Sequence, residues 1–175
     1  LTLMRQIPRA AASVKTYNWD RDRFRGQEIY GKTVGIIGYG RLGRIVAEYF
    51  RTFGSRVLVC DIKDGDLNLE HGVEQVSQEH LLAESDLVSI HVDLNANTKQ
   101  FFGRDCFSLM KDRALLVNTA RGELIDEHAL LDALRQGSIS GAAVDVLKDE
   151  HLFGNTKHPL IEYASGNDNL IVTPH

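Results

Sequence analysis

Three glycines at positions 38, 40 and 43, in the stretch GIIGYGRLG, offer the first chemistry in this sequence. A G-x-G-x-x-G spacing makes a phosphate cradle. The first glycine permits a tight turn, the second lets a pyrophosphate reach the backbone, and the third lets helix and strand pack closely. An anion held there meets the free N–H groups and positive dipole end of the helix that opens at Arg41 and Leu42. Three glycines among 15 carry little weight alone. Their weight comes from Asp61, which ends a second apolar run about 20 residues further on, where a dinucleotide site places an acid. A carboxylate there accepts hydrogen bonds from both ribose hydroxyls and repels a 2'-phosphate, so NAD is favoured over NADP. Arg41 and Arg44 are neighbouring cations that could meet a phosphate themselves.

Such a cradle works only between a strand and a helix, and the chain supplies both repeatedly. The segments 33–38, 56–61, 87–92, 114–119, 142–146 and 169–173 are short, rich in Val, Ile and Leu, and mostly non-alternating. Strands of that kind are buried on both faces. After the first comes a helical pattern with Leu42, Ile45, Val46, Tyr49, Phe50 and Phe53 at three-and-four spacing, stopped by Gly54. A second helix is expected after the N-cap Asp126, carrying Leu130, Leu131 and Leu134 to Gly137. Ile125 and Leu130 occupy the staple positions around that cap. Strand and helix in alternation predict an α/β fold of the doubly wound Rossmann type, a mostly parallel sheet with helices on both faces. Residues 1–30, mildly helical and then charged and turn-rich, read as an approach segment to a domain over 31–175.

Composition narrows the function classes. Twenty Lys and Arg are interspersed with 24 Asp and Glu, for a formal net charge of -4, and no basic run could track a line of phosphates. Neither a nucleic-acid partner nor a membrane is expected, and no metal site is read. No apolar run approaches the roughly 20 residues that span a bilayer. Cys60 and Cys106 read as reduced thiols in a cytoplasmic setting.

A nucleotide fold does not by itself name a reaction. The blocks GKTVGIIGYGRLG, ESDLVSIHVDL, LVNTARGELID, the run from Asp145 to Glu150, and the terminal TPH are present in that order. Together they resemble the D-isomer-specific 2-hydroxyacid dehydrogenases from about Gly31 to His175. The resemblance implies three catalytic residues. Arg121 would hold the substrate carboxylate and polarise the 2-keto oxygen with its planar fork. His175 would be the acid/base, and Glu150 its partner, whose charge favours the imidazolium. It also implies that Asp145 meets the nicotinamide carboxamide, with Asn118, Thr119 and Ala120 lining the same cleft and Thr98 matching a family threonine.

The same resemblance carries departures and rivals. Asp93 stands where the family block H-x-P-L has Pro, and His151 follows Glu150 where Pro is common; both bear on substrate preference more than on reaction type. Family members have a second, substrate-binding domain and generally form homodimers through the nucleotide domain. This segment is therefore expected to bind NAD, to need its substrate domain for turnover, and to act on a small 2-hydroxy or 2-keto acid. Corepressors that sense NAD(H) share the same three residues and are the alternative class. Formate dehydrogenases pair the His with Gln, against Glu150, and adenosylhomocysteine hydrolases lack the block order.

Overall fold

Runs of β-branched and aliphatic residues bounded by Gly and Asp set the strands, and the computed structural model describes residues 1–61, 69–152 and 157–175. In chain order the elements are α1 (Ile7–Lys15), β1 (Thr33–Ile37), α2 (Arg41–Thr52), β2 (Arg56–Cys60), β3 (Val73–Gln75), α3 (Gln78–Glu84) and β4 (Leu87–Ile90). They continue with α4 (Arg104–Leu109), β5 (Leu115–Asn118), α5 (Glu127–Gln136), β6 (Gly141–Val144), α6 (Pro159–Gly166) and β7 (Leu170–Val172). The strands form one sheet in the order β3-β2-β1-β4-β5-β6-β7, parallel at every pairing. The chain reverses its direction of travel across the sheet between β1 and β4. That switch point leaves a crevice at the carboxyl ends of the strands.

Two cores lie on opposite faces of the sheet, as right-handed crossovers in opposite directions require. One gathers Leu81 and Leu82 of α3, Phe107 of α4, Leu130 and Leu134 of α5 and Leu160 of α6. The other is smaller and joins Ala47 of α2 to Val34, Ile36, Val57 and Val59, with Met4 and Ile29 from the approach segment. Residues 1–30 are thus anchored on the sheet without adding a strand. Pro8 sits in the first turn of α1, where its missing N–H costs nothing.

All six expected strands are present, each within two residues of its expected ends and β6 starting one residue earlier, together with a seventh, β3, only three residues long. Helix α5 starts at Asp126, whose Oδ1 accepts from the His128 and Ala129 N–H groups, and ends at Gly137 with φ +72°. Helix α2 departs from expectation. Its apolar stripe is split: Val46 and Phe50 pack against the core beside buried Gly43 and Ala47, while Leu42, Ile45, Tyr49 and Phe53 are exposed. The reason is steric: a Cβ at Gly43 would lie 1.9 Å from the Gly38 carbonyl oxygen, so α2 approaches the sheet on its small-residue face. Only its outer edge, Leu42, Ile45, Tyr49 and Phe53, is left outside.

Candidate active site

The glycine turn divides its work among three positions. Gly38 has φ +95°, and a Cβ at that position would sit 2.5 Å from the His91 carbonyl oxygen, so both conformation and space demand glycine. Gly43 closes the helix onto the turn. Gly40 is different: its φ is -75° and nothing lies within 4 Å of a Cβ there. The protein itself sets no steric limit at Gly40. A group arriving from outside would, and Gly40 is the N-cap of α2 with no side chain capping the helix. Open space in front of uncapped N–H groups fits a pyrophosphate.

Asp61 stands over this turn. Its Oδ2 accepts the Tyr39 N–H at 2.7 Å, which pins the carboxylate to the loop between the first two glycines. Tyr39 is buried, and the Arg44 guanidinium packs 4.4 Å from the centre of its ring. Arg44 thus stacks on Tyr39, while Arg41 is exposed at the start of α2. The residues present therefore fit a dinucleotide with an acid at the ribose position. Tyr39 is a part of this arrangement that sequence reasoning misses; its only signal is an aromatic inside a glycine turn.

At the next strand ends the side chains shape loops. Asn118, fully buried at the end of β5, donates from Nδ2 to the Arg121 carbonyl at 2.8 Å and accepts the Ala120 N–H at 3.0 Å. It clamps the loop that presents exposed Thr119, half-buried Ala120 and Arg121. Arg121 is exposed, and its Nη1 donates to the Ala120 carbonyl at 2.6 Å. Thr98 is buried, its hydroxyl donating to the Asp93 carbonyl at 2.7 Å and accepting the Asn95 N–H at 2.8 Å. These two bonds fix the shape of the loop that follows β4. Asp145 leaves β6 with its N–H on the Asn118 carbonyl, and its carboxylate accepts from the Thr173 hydroxyl. Thr173 is a second residue to which the sequence assigns no role.

Glu150 and His175 meet across 25 residues of sequence, His175 Nδ1 lying 3.3 Å from Glu150 Oε1. The other carboxylate oxygen accepts the Leu147 N–H at 3.0 Å. That N–H, with His175 and then Arg121 adding to it against the opposing effect of burial, holds the Glu150 carboxyl below the usual carboxylate range. Arg121, Glu150 and His175 thus come from the ends of β5, β6 and β7 to one neighbourhood. A mainly apolar cavity of about 960 Å³ opens beside Glu150 and His175, lined by Leu147, Ile161, Leu170 and Val172 and by Leu3 and Pro8 of the approach segment; Arg121 is not among its lining residues. A guanidinium fork near a carboxylate-paired imidazole can bind a small carboxylate and move one proton beside it.

Other reactive groups near the sheet are out of play. Burial pushes the Cys60 thiol up to about 12 and raises that of Cys106, so neither supplies thiolate at neutral pH. Burial also lowers the His91 imidazole, which shares a 2.9 Å contact with the Ser89 hydroxyl. Among the described residues no group of three or more His, Cys, Asp or Glu could hold a metal ion, and no helix is long and apolar enough to cross a membrane.

Comparison with known proteins identifies the family and the fold. The family model described as D-isomer specific 2-hydroxyacid dehydrogenase, NAD binding domain, matches residues 1–175. The D-3-phosphoglycerate dehydrogenase of Methanocaldococcus jannaschii is 42% identical over 177 residues, covering 100% of this chain and 32% of its own length. The hydroxypyruvate reductase of Thermotoga maritima is 35% identical over 175 residues, 55% of its length. In structure, the D-lactate dehydrogenase of Aquifex aeolicus, solved with NAD and lactic acid, superposes with a TM-score of 0.90 at 35% identity, over 99% of this chain and 55% of that one. The chain therefore spans a third to about half of the length of these relatives. Each carries a dehydrogenase or reductase name, and none a corepressor's.

Proposed function

The chain belongs to the D-isomer specific 2-hydroxyacid dehydrogenase family, as its NAD-binding domain, and we propose that it serves an enzyme interconverting a D-2-hydroxy acid and its 2-keto acid. The observation that carries this reading is the convergence of Arg121 and the Glu150–His175 pair at the carboxyl edge of the sheet. In the proposed assignment the α2 N-terminus and Gly40 receive the pyrophosphate and Asp61 the ribose hydroxyls. Asp145 takes the carboxamide end, beside the loop of Asn118, Thr119 and Ala120, and Thr98 shapes the opposite wall. NAD, when bound, supplies the two-electron exchange at the substrate C2.

The chain's own residues do the rest. Arg121 binds the substrate carboxylate and its fork polarises the neighbouring keto oxygen. His175 gives a proton to that oxygen during reduction and takes one from the hydroxyl during oxidation. Glu150, ionised through the neutral range, orients the imidazole and stabilises its charged form. Residues 1–30 would lead in from the substrate domain, which supplies the rest of the carboxylate site and excludes water on closure.

Two further parts of the reading concern setting and assembly. Free Cys60 and Cys106 suit the cytoplasm. The exposed stripe of Leu42, Ile45, Tyr49 and Phe53 on α2, with exposed Trp19, suits a homodimer formed through this domain.

The test is a fluorescence titration with NADH and NADPH, followed by assay of the full-length protein against a panel of 2-keto acids. Tighter binding of NADH and NADH-dependent reduction of at least one keto acid are expected. Binding of neither nucleotide, or binding without turnover of any member of the panel, would overturn the reading.

A further inference from the structure

Behind the Glu150–His175 pair lies a second carboxylate and a second imidazole. Glu127, the first residue of α5, places Oε2 3.1 Å from Nε2 of His158, the N-cap of α6. Both side chains are largely buried, 18% and 11% exposed. His158 Nδ1 accepts the Leu160 N–H at 3.3 Å, so Nε2 carries the proton that faces Glu127. The other oxygen of Glu127, Oε1, accepts the Lys148 N–H at 2.9 Å. One residue earlier, the Leu147 N–H donates to Glu150.

The Leu147–Lys148 peptide also has Gly122 packed close against it. A Cβ on Gly122 would fall 2.1 Å from the Leu147 carbonyl carbon and 2.3 Å from the Lys148 nitrogen. Gly122 follows Arg121 directly, so this contact sets the Arg121 loop against the loop that carries Glu150. That second loop holds Asp149 at φ +56°, a left-handed conformation that a non-glycine residue keeps only where its surroundings over-determine it.

We propose that Glu127 is a positioning residue for the Glu150–His175 pair. Its carboxylate, oriented by His158, fixes the Leu147–Lys148 peptide against Gly122, and the fixed peptide holds the Glu150 carboxylate toward His175. Misplacing a catalytic group by an ångström costs rate without changing what is bound, so the role belongs to turnover and not to cofactor affinity. The proposal rests on the dehydrogenase reading for its effect on rate. The brace itself is independent of that reading.

The experiment compares wild type, Glu127→Ala, Glu127→Gln and His158→Asn in the full-length protein, with three measurements on each. These are amide hydrogen exchange at Leu147, NADH affinity, and steady-state kcat and KM for the 2-keto acid reduced fastest. Glu127→Ala is expected to speed exchange of the Leu147 amide and lower kcat, each by roughly tenfold, with NADH affinity and KM within about twofold of wild type. Glu127→Gln keeps an oxygen for the Lys148 N–H and recovers most of both. His158→Asn keeps a cap for α6 while removing the partner of Glu127, and gives a smaller change in the same direction; it decides the matter if Glu127→Ala does not fold. Unchanged Leu147 exchange in the folded variants, or equal loss of kcat in Glu127→Ala and Glu127→Gln alongside general loss of amide protection, overturns the proposal. A wild type that reduces no 2-keto acid sinks the dehydrogenase reading alone, since Leu147 exchange still judges the brace.

Discussion

The two ends of the sheet use the same kinds of residue to opposite effect. At the amino end, Asp86 accepts the Thr33 N–H at 2.8 Å and the Lys111 ammonium at 3.0 Å, tying the start of β1 to the turn before β5. Burial works against that charge and is outweighed by Thr33 and then Lys111, so the Asp86 carboxyl lies below its ordinary range. At the carboxyl end, Arg121 and His175 stay exposed and bond to a backbone carbonyl and to one half-exposed carboxylate. A charge closed by its neighbours stabilises the fold. A charge held by a braced loop, with one side open, is available to a ligand.

This contrast can be broken at either end. The largest effect is expected from His175→Asn: turnover of the full-length enzyme falls by about 10² to 10⁴, with no measurable change in thermal stability. Steady-state kinetics and a melting curve on the same preparation check both halves, and a destabilised His175→Asn variant would contradict the division.

Next in size is a pair of glycine variants. Gly40→Ala leaves the melting curve within about 1 kcal/mol of wild type yet weakens NADH binding at least about tenfold, because only a ligand competes for that space. Gly38→Ala instead destabilises the fold by about 1 to 3 kcal/mol, through φ +95° and the His91 carbonyl. Equal stability of the two variants would mean that Gly40 is not reserved for a ligand.

At the amino end, Asp86→Asn is expected to cost about 1 to 2 kcal/mol in urea unfolding while NADH affinity is unaltered. The pH dependence has a definite sign. The folded carboxyl titrates below the unfolded one, so its contribution is complete above the unfolded range and is lost as pH falls through the folded value. The difference between wild type and variant should therefore shrink in acid. A difference that grows in acid would reverse the assignment.

The smallest expected effect is a gain. Arg113, in the turn before β5, has φ +69°, so Arg113→Gly relieves a left-handed side chain and stabilises by up to about 1 kcal/mol, less what glycine adds to unfolded-chain entropy. No change in NADH binding is expected, since the turn lies at the end of the sheet away from the cofactor crevice.

The fold is legible because its signals are local. Apolar runs such as 33–37 and 56–60 mark buried strands, and Asp126 and Gly137 mark the ends of α5. β3 escapes a reading of the sequence because three residues, two of them Glu74 and Gln75, carry no periodicity. Helix α2 is half legible for a related reason: helical spacing shows that apolar residues share a face, and only packing shows that Val46 and Phe50 meet the sheet while Leu42, Ile45, Tyr49 and Phe53 do not. Gly43 and Ala47 set that face by allowing closer approach.

The site divides along the same line. Sequence alone determined the parallel α/β alternation, the glycine turn and the order of the blocks that end in Arg121, Glu150 and His175, because each is written in contiguous residues. Tertiary structure decided that Tyr39 pins Asp61, that Asn118 clamps the Arg121 loop, and that Gly122 and Glu127, itself paired with His158, meet at one peptide ahead of Glu150. Those contacts join residues distant in the chain, or backbone groups that every residue possesses, so no spacing could announce them.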